Sequence, residues 1–437
     1  MPSTLSRPGR GASWLPVACL VMKGPRGLWA YLAGAAAARA GDEMSGPALL
    51  LLGFAVTGRP GTGSELLAGL TIAAAVGGPA FGAVLDRSRR PDRVLAGTLA
   101  AYALGIVAVE GALGRLPIPL VVLVALAAGL FSPAVAGGWT AQLPRVVPGP
   151  ELARASALDA MSYSAASLVG PALAALIAAW LGARWAVVTA AALVGLAVPA
   201  ACSLARYRPP PLGAPVQAAF RQVAAGFAVI ATRRPLLRAT VTSVVSYVGI
   251  GMLLVCCPVL GAQRLGGSAR GALLISAIAA ASLIANGILA RRPWRGEPDP
   301  GVLVSTLIIG ASMAAASIAP GWLTAAAVAA GGVGEGPQLT ALFAVRHRET
   351  PGHMRGQVYT TAASLKIAGL AAGAALAGPL AGRSVTACLL VAAGTELCAA
   401  AAYLVTGSVG PGPSGPGPMS PGSASAGPVG DTTARSE

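Results

Sequence analysis

The chain has 437 residues, of which 55% are hydrophobic and only 11% are charged, and its formal net charge is +16. Because a soluble domain carries about 25% charged residues, this composition excludes a soluble globular protein and places most of the chain in lipid. The apolar runs are continuous and about 20 residues long, which predicts membrane-spanning helices and argues against a barrel, whose strands alternate apolar and polar residues.

The N-terminal segment, residues 1–26, is polar and basic around a short apolar piece. That piece runs from Ser13 to Met22, which is too short to span a membrane. It also lacks a small-residue cleavage site, so we expect a cytoplasmic segment rather than a secretory signal.

Twelve apolar segments follow and predict an all-α membrane protein. The predicted spans are roughly 28–56, 64–85, 93–113, 117–139, 156–180, 184–205, 236–262, 269–290, 301–319, 321–344, 358–381 and 384–407. They divide the chain into an N-terminal six-helix bundle over 27–206 and a C-terminal six-helix bundle over 236–408. Each bundle would bury its polar backbone in helices, as lipid requires.

Two further segments have a different composition. The linker over 207–235 contains three consecutive prolines, Pro209 to Pro211, and a basic amphipathic stretch, Gln217 to Val223, which predicts a helix at the cytoplasmic interface. Residues 409–437 are rich in Pro, Gly and Ser, a composition that predicts a disordered tail.

Positive charge is concentrated on one side of the predicted spans. Most Lys and Arg residues lie in the N-terminal segment, the linker and the even-numbered loops, in short clusters with few aromatic residues among them. This pattern is typical of topology signals rather than of nucleic-acid binding. It predicts a multi-pass protein of the plasma membrane with both termini in the cytoplasm.

Three landmarks recur at nearly one offset and predict two copies of one unit. Gly82, Pro133 and Gly170-Pro171 are matched by Gly287, Pro337 and Gly378-Pro379, each about 205 residues later. Duplicated six-helix halves of this kind are typical of secondary transporters. We expect Gly82 and Gly287 each to face a neighbouring helix at close range, because small residues allow helix backbones to approach.

Charged residues within the predicted spans are candidates for function, since such residues are costly in lipid. Arg39, Asp42 and Glu43 share one face of the first span, where Arg39 could neutralise one acid and leave the other for a proton or a cationic substrate. The alternative is a structural ion pair. Glu335, between two glycines, is the next candidate, and Lys366 is its possible partner.

Other polar residues carry less weight at this stage. Glu396 on the last span is expected to have a local or lipid-interface role. The six cysteines and two histidines show no metal-ligand spacing, so no metal, cofactor or catalytic histidine is expected.

A short motif follows the second span. Gly82, Asp86, Arg87 and Arg90 place an acid within a basic cluster at the membrane edge, and we interpret it as a gate rather than as an ordinary basic loop. The motif resembles the signature Gly-x-x-x-Asp-Arg-x-Gly-Arg-Arg of the major facilitator superfamily, although the glycine before Arg89 is missing.

Other segments resemble the macrolide- and siderophore-efflux-like branch of that superfamily. They are Ala40-Gly41-Asp42, Ala48-Leu49, Thr57-Gly58, Leu143-Pro144, Ala155 to Leu158, Gly170-Pro171 and Pro351 to Val358. The resemblance covers about residues 28–407. It implies a proton-driven transporter with alternating access, in which Asp86 latches the two halves together. Gly170-Pro171 resembles the start of the antiporter motif of the fifth helix, but Ala174-Ala175 stands where paired glycines are usual.

The function predicted from these features is export of a small amphipathic molecule, such as an antibiotic or another natural product, by proton antiport. The expected partners are the substrate, protons and membrane lipids, with no nucleic acid, and the protein is expected to be a monomer. A first alternative is proton-coupled uptake of a nutrient or siderophore. A second, of another class, is a membrane-embedded enzyme, for which residues 28–407 offer no His pair, Asp-rich motif or nucleotide loop.

Overall fold

The computed structural model of the protein describes residues 26–204 and 218–408, apart from residues 148, 268, 269 and 295. The expected N-terminal segment, the proline-rich start of the linker and the C-terminal tail therefore lie outside the described residues. Within them the structure is helical throughout.

The main helices follow the predicted spans closely, except that the fourth covers only the first part of its span. We label them α1 (Arg26–Thr57), α2 (Pro60–Arg87), α3 (Pro91–Ala112), α4 (Ile118–Gly129), α5 (Leu152–Leu181), α6 (Ala183–Ser203), α7 (Arg234–Arg264), α8 (Arg270–Arg291), α9 (Asp299–Ile318), α10 (Gly321–Glu349), α11 (Arg355–Arg383) and α12 (Val385–Ser408). A linker helix, Ala218–Thr232, lies between α6 and α7. Several begin with proline in the first turn, where the missing N–H has no intrahelical partner to lose.

Ten helical segments of the described residues are long and apolar enough to cross a membrane. Helices α1 and α10 are not among the ten. They contain Arg39, Asp42 and Glu43 in α1 and Glu335 in α10, the charged residues singled out by the sequence. The count of twelve spans stays a prediction for these two helices.

The predicted span 117–139 is not one continuous helix. α4 ends at Gly129, a 3-10 turn follows at Ser132–Ala134, and short helices occupy Gly137–Thr140 and Leu143–Val146. Pro133 cannot donate a backbone hydrogen bond to continue the helix. The segment therefore bends where it meets the rest of the molecule.

The buried apolar residues form separate cores. The largest draws only on residues between Leu28 and Leu204, whereas the second draws on residues between Tyr247 and Ala393. We therefore refer to α1–α6 as the N-terminal group and to α7–α12 as the C-terminal group.

Helix α2 meets α11 of the other group at very short range. The Gly78 amide donates to the Ser364 hydroxyl at 3.1 Å, and that hydroxyl donates to the carbonyl of Ala74 at 2.7 Å. A Cβ atom on Gly82 would lie 2.6 Å from the Cα atom of Gln357. Only glycine fits this contact, as expected for small residues at a helix crossing.

The corresponding expectation for Gly287 holds only in part, because this glycine faces a neighbouring helix without a close backbone contact. A Cβ atom on Gly287 of α8 would lie 3.7 Å from the side chain of Met161 on α5, an ordinary van der Waals distance. The flexible methionine fills this crossing, whereas backbone atoms fill the one at Gly82. The sequence repeat therefore does not extend to the packing of the two glycines.

Candidate functional site

A cavity of about 380 Å³ lies between the two helix groups. The N-terminal group contributes Asp42, Glu43 and Tyr163 to its wall, and the C-terminal group contributes Glu335 and Lys366, among others. The structure thus brings to one cavity four of the five residues predicted to couple protons or bind substrate. Arg39 is the exception.

Asp42 and Glu43 lie on the α1 side of the cavity. The Asp42 carboxylate accepts hydrogen bonds from the Tyr102 hydroxyl at 2.5 Å and the Ser132 hydroxyl at 3.3 Å. Glu43 has the Ser167 hydroxyl within hydrogen-bonding reach and is close enough to Glu335 for electrostatic repulsion. Asp42 is therefore held more firmly than Glu43.

The predicted helix 5 motif, Gly170-Pro171, positions this side of the cavity. A Cβ atom on Gly170 would lie 2.8 Å from the Cβ atom of Glu43, and Pro171 lines the cavity itself. Glycine allows α5 to pack directly against α1 at the acid. The motif thus contacts one of the candidate coupling residues.

Glu335 and Lys366 lie on the opposite wall. The Lys366 ammonium lies 3.9 Å from the centre of the Tyr247 ring, a favourable cation–π geometry. Lys366 also interacts electrostatically with Glu335. The pairing of Lys366 with Glu335 that the sequence suggests is thus a longer-range electrostatic attraction. The group in direct contact with the Lys366 ammonium is the Tyr247 ring.

Arg39 has a different partner from the one expected. Its guanidinium forms a buried ion pair with Asp159 of α5 at 2.8 Å and bonds Thr140 at 2.9 Å, and it also contacts Ser162. The Tyr163 ring lies 3.7 Å from the guanidinium carbon. Arg39 therefore neutralises no acid of its own helix, which leaves both Asp42 and Glu43 to the cavity.

Asp159 was missed by sequence reasoning. It is completely buried, and its carboxylate also accepts a hydrogen bond from Tyr31 at 2.9 Å. The sequence did contain a sign of its importance, because Asp159 is an acid within the predicted span 156–180. A charged residue in such a span usually has a function or pairs with another charge.

Arg346 was also misplaced by the sequence. Because the predicted tenth span ends at residue 344, Arg346 falls among the basic residues of the predicted loop that follows it. In the structure α10 continues to Glu349, and Arg346 is buried and lines the cavity. The cavity therefore contains two cations, Arg346 and Lys366.

Of the two roles expected for Glu396, local or at the lipid interface, the structure supports the local one. It is buried between helices, and its carboxylate accepts a hydrogen bond from Ser246 of α7 at 2.9 Å. Gln338 of α10 donates to the same serine at 3.2 Å. Glu396 thus belongs to a polar network inside the C-terminal group.

The motif at the C-terminal end of α2 meets the first turn of α11. Asp86 accepts hydrogen bonds from the backbone amides of Gly356 and Gln357, both at 2.7 Å. A carboxylate at a helix N-terminus is stabilised by these free amides and by the helix dipole. Arg145 and Arg355 add favourable electrostatic interactions with Asp86.

The two basic members of the motif play different parts in this geometry. Arg90 is 54% exposed and lies 3.6 Å from Asp92 of its own segment. Arg87 is half-buried. The structure therefore brings Gly82 and Asp86 to the other helix group and leaves Arg90 at the surface.

Comparisons with known proteins agree with this architecture. A model of the Major Facilitator Superfamily matches residues 31–374. An uncharacterized MFS-type transporter of Sinorhizobium fredii is 31% identical over 396 residues, which cover 86% of this chain and 94% of that protein.

Solved structures share the fold at low sequence identity. The human organic anion transporter MFSD10 matches with a TM-score of 0.70 at 16% identity, over 87% of this chain and 100% of that one. A bacterial homologue of the iron transporter ferroportin in an outward-facing state matches with 0.71 at 16%, over 88% and 100%. The fucose:proton symporter of E. coli matches with 0.66 at 13%, over 86% and 98%.

Proposed function

Because the chain belongs to the major facilitator superfamily, a family of membrane transporters, we propose that it exports a small amphipathic molecule by proton antiport. The observation that carries the proposal is the cavity between the helix groups. Acids line it from both sides, Asp42 and Glu43 from α1 and Glu335 from α10, and apolar side chains supply much of the rest. A largely apolar site with a few fixed polar groups suits an amphipathic ligand better than a sugar.

The proposal includes the arrangement in the membrane. All twelve long helices cross it, in two pseudo-symmetric halves, and both termini lie in the cytoplasm of a cell whose plasma membrane holds the protein. Helices α1 and α10 can cross despite their charges because Arg39 is paired and the remaining acids face the cavity rather than lipid.

The contacts between the helix groups suggest which side is closed. They lie toward the end of α2 that carries Asp86: Gly78 against Ser364, Asp86 against Gly356, and the short helix at Gly137 against Tyr359. With Asp86 on the cytoplasmic side, this is a state closed to the cytoplasm. Alternating access requires these contacts to break in the opposite state.

We expect Asp86→Asn to impair transport strongly while leaving expression nearly intact. The amide has only one accepting oxygen and no charge, so it stabilises the first turn of α11 less well in the closed state. A loss of about 1.5–3 kcal/mol from a charge-assisted contact corresponds to roughly tenfold or more in the balance of the two states.

Transport rates and surface expression of Asp86→Asn measure this effect. The matched control is Asp92→Asn, which removes an acid of the first turn of α3 that pairs with Arg90 rather than with α11. Wild-type transport in Asp86→Asn would refute the gate and leave an ordinary basic loop.

The test of the proposed function is export from an antibiotic-sensitive bacterial host across a panel of amphipathic antibiotics. We expect the protein to lower the cellular content of at least one compound, and a protonophore to restore that content. Inward accumulation of a nutrient or siderophore would instead support the uptake alternative. Export that a protonophore leaves unchanged would contradict proton coupling.

A further inference from the structure

Arg346 is a buried cation on the cavity wall with no acid bonded to it. Its side chain is 2% exposed, its Nε atom has no hydrogen-bond partner among the described residues, and the Ser243 hydroxyl lies 3.5 Å from a terminal nitrogen. Among the described residues, no carboxylate forms an ion pair with it. A buried charge without a counterion is strongly unfavourable, so an anionic group beside Arg346 would be stabilised.

A second cation lines the same cavity. Lys366 of α11 is also buried, and the two positive charges repel each other. Glu335 offsets part of the charge of Lys366. The α10–α11 side of the cavity therefore carries two cations, Arg346 and Lys366, against one acid, Glu335.

Apart from Glu335, the acids of the cavity lie on α1, across from these cations. Asp42 is held by Tyr102 and Ser132, and Glu43 interacts with Asp42, Ser167 and Glu335. Neither acid of α1 is a counterion of Arg346. A ligand that contacts both the acids of α1 and the cations on the other side of the cavity needs an anionic group directed at α10 and α11.

The surface beside the two cations is apolar. Ile250, Leu253 and Leu254 of α7 and Ile278 of α8 line the same cavity. The Phe343 ring lies 6.0 Å from that of Tyr163 across the seam between the groups. These side chains offer a pocket for the apolar body of the same ligand.

We propose that Arg346 and Lys366 form an anion subsite that binds the carboxylate of an apolar organic acid. A guanidinium presents its donors in a planar fork that matches a carboxylate, and the Nε atom without a partner belongs to that fork. This inference deepens the proposed function by naming the substrate class, and it rests on the cavity being the transport site.

The experiment is a binding assay on the full chain purified into lipid nanodiscs. Three fluorescent probes share one apolar body and differ in the end group: dansylglycine carries a carboxylate, N-dansylethanolamine a hydroxyl and N-dansylethylenediamine an amine. We expect dansylglycine to bind at least about tenfold more tightly than either analogue, the difference expected for hydrogen bonds to a charged group.

Variants assign that preference to the subsite. In Arg346→Gln and in Lys366→Gln the preference for dansylglycine should fall about tenfold, whereas Arg346→Lys should keep part of it. The control Arg291→Gln, an exposed arginine at the end of α8, should bind as wild type does. Thermal unfolding of each variant identifies any that fails to fold, and the two sites then test the proposal independently.

Three results would overturn the subsite: equal affinity for the three probes, a preference for the amine, or no saturable binding of dansylglycine to the wild type. A preference for the amine would leave export of an amphipathic molecule standing and refute only the anion. Selective binding of dansylglycine without proton-linked export would support the subsite and refute the proposed function.

Discussion

Replacing either partner of the buried Arg39–Asp159 pair is expected to lower the free energy of unfolding by about 3–5 kcal/mol. Both side chains are essentially unexposed, and the pair connects α1, α5 and the short helix at Thr140. Arg39→Met leaves an unpaired carboxylate in the core, and Asp159→Leu leaves an unpaired guanidinium. An uncompensated buried charge of this kind is among the largest single-residue penalties.

The yield of monodisperse protein and its thermal unfolding midpoint measure this loss. The double variant Arg39→Met/Asp159→Leu should recover part of the stability, because it leaves neither charge buried. The matched control is Arg184→Ala, which breaks a pair with Glu110 at 3.5 Å whose arginine is 59% exposed. It should cost no more than about 1 kcal/mol. Equal losses for the two pairs would show that Arg39 and Asp159 do not support the fold.

Neutralising the cavity acids should have the largest effect on transport. We expect Glu335→Gln and Glu43→Gln to abolish protonophore-sensitive accumulation while substrate binding persists. Glutamine keeps the size of glutamate and its ability to form hydrogen bonds, but it cannot take up or release a proton. An acid in the cavity can exchange protons with each side in turn, and this exchange links substrate movement to the gradient.

Asp42→Asn should have a smaller effect on coupling, because Tyr102 and Ser132 already hold its carboxylate in place. The control Glu151→Gln removes an exposed acid at the start of α5 and should transport as wild type does. Proton-linked efflux measured in these variants decides the assignment. If Glu335→Gln, Glu43→Gln and Asp42→Asn all still drive uphill export, the coupling residue lies elsewhere or the protein is a facilitator.

Much of the fold could be predicted from the sequence because its signals are local. Continuous apolar runs indicate helices in lipid, and proline and loop charges mark their ends. The predicted span 117–139 is an exception. Its sequence is apolar, yet α4 ends at Gly129. Hydropathy alone does not register the break that glycine and Pro133 introduce.

The candidate site was predictable only in part because its contacts are between distant residues. Helical spacing suggested an acid of α1 as the partner of Arg39, but α5 brings Asp159 to it instead. The partners of Asp86 are backbone amides of α11. Every residue except proline has such an amide, so residue types in the sequence do not identify these partners. Arg346 resembles a loop cation in the sequence because the last turns of α10 are polar. Tertiary packing nevertheless buries the Arg346 side chain.

The central claim is that a proton gradient drives export through the cavity lined by acids from both helix groups. Proteoliposomes with an imposed pH difference and the membrane potential held at zero test it most directly, with a compound that the cell assay identifies as exported. For exchange of one proton, accumulation should rise by up to about tenfold for each pH unit. It should collapse with a protonophore and in Glu335→Gln. Uptake that only equilibrates the compound, whatever the pH difference, would contradict the account.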